Sequence, residues 1–314
     1  MTTHFIDFAQ RAAADGQVTA DELLTLRREG WGDGIMTRAE AEALFTLNHA
    51  LKERRPEWCD FFVEAIGEFV LNGTPPRLQC NEEEAAWLIG HIDYDGVTES
   101  MVELETMVRI IERAENTPDR LKNYVLDQVE REVLTGVGPT RCGGALAATH
   151  ITSAECRIIR RTIFAAGGHG PAAVTRWDAE MLWRLKDETL AEENAPEWDD
   201  LFIDGIANYL KSFIPPNAQV SHERKLELEA FIADNEANVG RFMGRVAQEA
   251  PQVMNHFGKV FGKKRDTGPD YTAIAVAGEV VTDYESEWLE KMINADGTVD
   301  ELESRLIARL ASED

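Results

Sequence analysis

With 314 residues, 44% of them hydrophobic, the chain is long enough for two domains that each bury a core. Its 57 acidic against 32 basic residues give a formal net charge of -25, which speaks against nucleic acid or anionic membrane as partners and favours cations or a protein partner with a basic surface. No apolar run has the length of a membrane span, and the opening Met1-Thr2-Thr3-His4 lacks a basic and apolar secretory leader, so a cytoplasmic protein is expected.

The first punctuation is Asp15-Gly16-Gln17-Val18-Thr19-Ala20-Asp21-Glu22, echoed by Asp33-Gly34-Ile35-Met36-Thr37-Arg38-Ala39-Glu40. Asp-Gly ends an incoming helix, because glycine tolerates positive φ. Thr19 or Thr37 then stands at an N-cap with Glu22 or Glu40 three residues on, the reciprocal capping box, and Val18 can staple to Leu23. Helical period follows in Ala41, Leu44, Phe45, Asn48 and Leu51, and in Phe61, Phe62, Ala65, Ile66, Phe69 and Val70 behind Pro56, a residue suited to a first helical position. Asn81 with Glu84 makes another box. Asp95-Gly96-Val97-Thr98 reads as a shortened copy with Met101 where the glutamate should be. Thr117-Pro118 divides two charged helices predicted over 99–115 and 118–134. The glycines of 136–144 read as a linker.

Beyond that linker the phrases return. Ile151-Thr152 with Glu155, and Val174-Thr175 with Asp178, keep the cap without Asp-Gly, whereas Asp296-Gly297 with Asp300 and Glu303 keeps everything. Pro56-Glu57-Trp58 matches Pro196-Glu197-Trp198, Pro75-Pro76 matches Pro215-Pro216, and Trp87-Leu88 matches Trp288-Leu289. Such matched positions predict an all-α fold of two tandem homologous helical-bundle domains, 1–135 and 145–314. The second carries a helical insertion at about 217–287, with charged helices near 221–233 and 237–262 and a stretch from Tyr271 to Val281 that reads as helix or short strand.

Laid over a calcium-binding EF-hand loop, these turns are incomplete. The first offers Asp15 and Glu22; the second Glu29, Asp33, Thr37 and Glu40; the last Asn294, Asp296, Asp300 and Glu303. Capping alone accounts for each terminal glutamate, and Ca²⁺ or another divalent cation is the competing reading, with weak binding. The repeated Asp-Gly and Thr-x-x-Glu turns between helices resemble the tellurite-resistance TerB-like family. That resemblance implies a helical bundle with an acidic surface, linked to metal ions and to stress response through protein partners, without an established catalytic centre.

No nucleophile elbow, phosphate loop, dinucleotide fingerprint or H-E-x-x-H occurs, and the seven His are scattered, so no enzyme is expected. Cys59, Cys80, Cys142 and Cys156 lack metal spacing and read as buried thiols. Three functions follow from these residues. The first is an acidic helical interaction or regulatory protein, with or without a weakly held cation. The second is a polyanion-mimicking regulator that captures a basic protein. The third is a dinuclear-metal enzyme built on Asp60 and Glu64 with Asp200 and Asp204, carboxylate pairs that share one helical face.

Overall fold

The computed structural model describes residues 2–30, 36–93, 98, 100–141, 150–165, 174–211, 283–295 and 297–313. Asp33, Asp95 and Asp296 of the expected turns, residues 142–144 of the expected linker and 217–282 of the expected insertion lie outside the described residues. Regular structure among the described residues is helical, apart from one isolated parallel bridge between Gln79 and Asn116.

The first half holds α1 (Thr2–Asp15), α2 (Ala20–Gly30), α3 (Arg38–Ala50), α4 (Pro56–Asn72), α5 (Glu82–Ile92) and α6 (Met101–Arg113). The second, counted from α7 and so ahead of the domain boundary expected at 135, holds α7 (Asp119–Thr135), a single 3₁₀ turn (Pro139–Arg141), α8 (Ser153–Ile163), α9 (Arg176–Thr189), α10 (Glu197–Lys211), α11 (Asp283–Ile293) and α12 (Glu301–Glu313). The helix starts follow the sequence phrases. Thr37, Asn81, Thr152 and Thr175 accept from the third helical N–H, while the acid three residues on reaches back to the cap N–H. Pro56 opens α4, where its missing N–H leaves no bond unmade. Gly16 and Gly136, with φ 68° and 70°, follow α1 and α7 in the left-handed region.

Helix pairs packed in the first half recur in the second: α1 on α3 as α7 on α9, α2 on α4 as α8 on α10, and α4 on α6 as α10 on α12. Surface ion pairs recur as well. Arg38–Glu42 (3.1 Å) has its counterpart in Arg176–Glu180 (2.8 Å), and Arg27–Glu64 (3.1 Å) in Arg160–Asp204 (3.5 Å). One apolar cluster runs from Phe5 to Leu306, continuous through α5, α6, α7 and α8, and contains Trp58, Trp87, Trp198 and Trp288.

Three details depart from the expectations. The stretch read as a linker is packed as far as Arg141: Thr140 and Arg141 are buried against α7, because Arg141 meets the buried Glu155. Residues 283–287, read as the end of the insertion, already form the first turn and a half of α11. The cap of α6 is Ser100 rather than Thr98: Glu103 lies three residues on and accepts from Ser100 N (3.1 Å), so the acid sought at Met101 is present two residues later.

Candidate functional site

Several of the acids chosen by sequence stand at helix starts, and at a number of helix starts in the fold the capping acid does two jobs. One oxygen caps the helix and the other is held by a different element. Glu303 Oε2 accepts from Asp300 N (3.0 Å), while Glu303 Oε1 receives Lys186 Nζ (2.9 Å) from α9. Glu155 Oε2 accepts from Thr152 N (2.8 Å), while Oε1 faces Arg141 Nε (2.8 Å) and accepts from Thr140 Oγ1 (2.9 Å). Glu103 Oε1 accepts from Asn48 Nδ2 (2.9 Å) and lies 3.4 Å from His49 Nε2. Glu84 Oε1 accepts from Thr74 Oγ1 (2.7 Å). Asp178 is shorter, so its Oδ2 takes both Thr175 N (2.9 Å) and Lys122 Nζ (2.5 Å), leaving Oδ1 buried and unpaired.

Lys186 is a buried cation ringed by three carboxylates. Its ammonium lies 2.5 Å from Asp300 Oδ2, 2.9 Å from Glu303 Oε1 and 2.7 Å from Asp187 Oδ1, with the Trp183 ring 5.1 Å away. Burial alone would lower its pKa, but hydrogen bonds to the three carboxylates carry it above the ordinary lysine value. Lys122 and Arg141 are buried with it. Among the described residues, buried Lys and Arg side chains occur only as partners of capping acids.

This bears on the cation reading. Asp300 and Glu303 fit an ammonium as they stand, and a metal ion at this turn would have to displace Lys186. Asn294 turns its Nδ2 back to Glu290 O (2.7 Å), Glu290 being part of α11 itself. Glu40 Oε2 receives Thr37 N and Thr37 Oγ1 (both 2.8 Å), and Glu22 Oε2 receives Thr19 N (2.8 Å). Glu29 sits in the last turn of α2, 3.7 Å from Arg28 Nε, and Asp15 is the last residue of α1. Asp300 and Glu303 are brought together around Lys186, and among the described residues no group of three or more His, Cys, Asp or Glu is placed to hold a metal ion. Of the carboxylates considered for a dinuclear centre, Glu64 pairs with Arg27, Asp204 with Arg160, and Asp200 with Arg305.

The basic partners Lys122, Arg141 and Lys186 escaped the sequence reading. For Lys186 the signal is a lone cation inside the apolar stripe of Leu182, Trp183 and Leu185 in α9, whereas Arg141 lies in the short 3₁₀ turn and has no such stripe around it. His91 stacks on Phe45 (5.2 Å between ring centres, 20° between planes) beside Trp87, and burial lowers its pKa against the pull of Glu42. Cys80 and Cys156 are buried free thiols; burial pushes Cys156 up to about 12. Comparison with family models, with characterised proteins and with solved structures returns no match.

Proposed function

We propose that this chain is a non-enzymatic, acidic helical interaction protein, built from two copies of a six-helix unit, that engages a basic protein partner through its exterior. The observation that carries this reading is the division of the acids into two populations. Inward-facing carboxylates are each matched to an internal donor, whereas Glu57 and Asp60 on α4, and Glu197 and Asp200 at the matching places on α10, face solvent together with Glu82, Glu83, Glu192 and Glu193. The excess negative charge therefore lies outside, where it can steer and hold a cationic surface. The resemblance to TerB-like proteins, carried by the Asp-Gly and Thr-x-x-Glu turns, belongs to the same proposal: a helical protein that acts through its partners.

The test is binding of dye-labelled poly-L-lysine to the full chain and to a Glu57→Lys/Asp60→Lys/Glu197→Lys/Asp200→Lys variant. Capture by the exterior acids predicts binding that weakens steeply as the screening length falls from about 10 Å at 0.1 M salt to about 3 Å at 1 M, and that weakens further in the variant. Binding indifferent to both salt and charge reversal would remove the proposal.

A further inference from the structure

We propose that a cleft between the start of α3, the end of α4 and the start of α5 receives one apolar side chain from a lysine- or arginine-rich peptide segment. This rests on the capture of a basic partner and gives that partner its point of attachment. The cleft has a volume of about 360 Å³ and is walled by Met36, Phe69 and Trp87. The Phe69 and Trp87 rings meet edge to face with centres 4.9 Å apart, an apolar corner set by two helices and therefore preformed.

The polar groups at the mouth differ in what they have left to offer. Arg38 lies 5.7 Å from the Trp87 ring centre and is neutralised by Glu42 (3.1 Å), so it supplies no net positive charge for an anionic ligand. Glu84 holds Thr74 Oγ1 (2.7 Å) with one oxygen and Asn81 N (2.9 Å) with the other. Glu83, which lines the cleft, and Glu82 beside it are exposed on the first turn of α5. An apolar side chain entering the cleft would leave its neighbours in sequence against these two carboxylates, which favours lysine or arginine there.

The second half supports the choice of place. Tyr209 and Trp288 form the equivalent pair, also 4.9 Å apart, with Val174 where Met36 stands and Arg176 bound to Glu180 (2.8 Å). There both rings are covered, with Tyr209 8% and Trp288 4% exposed, whereas in the first half Trp87 is 9% exposed and Phe69 is only partly buried. The same corner of the fold is thus more open in the first half, at the Phe69 ring.

Two dye-labelled peptides test the proposal by fluorescence anisotropy at low salt: four lysines around a central phenylalanine, and the same peptide with serine at the centre. The expected result is tighter binding of the phenylalanine peptide by about tenfold. Phe69→Ala should abolish that preference, and Glu83→Lys, on an exposed residue that leaves the core untouched, should weaken binding of the phenylalanine peptide severalfold. Equal binding of the two peptides overturns the cleft while leaving charge-led capture standing; absence of binding by either overturns both. A preference for phenylalanine that survives Phe69→Ala and Glu83→Lys puts the apolar contact elsewhere and also overturns the proposal.

Discussion

The first half of the molecule joins α3 to the start of α6 with an amide, and the second joins α9 to the start of α12 with an ammonium. Asn48 donates to Glu103, and its Oδ1 accepts from Trp58 Nε1 (3.1 Å) and Arg54 Nε (3.2 Å). Lys186, at the matching place, reaches Glu303, Asp300 and Asp187 but has nothing to accept with. Trp198, the counterpart of Trp58, accordingly has its Nε1 buried with no acceptor among the described residues. A capping carboxylate can thus be anchored by a neutral or a charged group. The choice decides whether the neighbouring indole is satisfied, and how many further acids must gather around the anchor.

The sharpest way to break this comparison is Lys186→Ala. It leaves Asp300 and Glu303 facing a buried void, and removing one partner of a buried ion cluster typically costs about 3–5 kcal/mol. Chemical denaturation should show a loss of that size, partly recovered by millimolar Ca²⁺ in the variant. A loss below about 1 kcal/mol would mean that the ammonium is not the anchor. Next in size is Lys186→Asn, which copies the first half. It gives Trp198 an acceptor, so it should be less damaging than the alanine by about 1 kcal/mol, measured in the same denaturation experiment. Equal losses for the two variants would show that positions 48 and 186 are not interchangeable in role.

A third prediction concerns Glu132, at the end of α7, which accepts from Thr140 N (2.8 Å) and Thr140 Oγ1 and has one oxygen buried without a partner. Burial, and secondarily the charge of Glu155, raise its pKa despite the Thr140 hydrogen bonds. A raised folded-state value makes its stabilising contribution complete below the ordinary glutamate range and lost as pH rises through the folded value. Glu132→Gln should therefore gain stability relative to the parent as pH rises, by about 1 kcal/mol in thermal unfolding at pH 8. Its equivalent in α1, Ala12, carries no such dependence. The smallest effect is expected at the surface pair Arg38–Glu42 and its counterpart Arg176–Glu180. Alanine at either arginine should shift the unfolding midpoint only slightly, and lose that effect in high salt.

Helix starts were legible because a cap and its acid lie within four residues: Thr37 with Glu40 and Thr152 with Glu155 fold as their local chemistry dictates. Trp58, Trp87, Trp198 and Trp288 were legible as core from size and matched position. Ser100 was not, because it stands five residues after Asp95, whereas the cap follows the Asp of the other Asp-Gly turns by four. Nor were the partners of the capping acids. Lys122 meets Asp178 and Arg141 meets Glu155 only after the chain has folded back on itself, and a lysine within an apolar stripe does not say which acid it will meet. What occupies the second oxygen of a capping acid is decided by tertiary structure.

The two-handed carboxylates have a kinetic meaning. Helix first turns ordinarily fray, and their amide protons exchange with solvent through small local openings. At the starts of α6, α8, α9 and α12 the turn cannot open without releasing Asn48, Arg141, Lys122 or Lys186 from another element. Deuterium should therefore enter those turns at the pace of global unfolding, while the start of α2, capped by the solvent-exposed pair Thr19 and Glu22, exchanges early and alone.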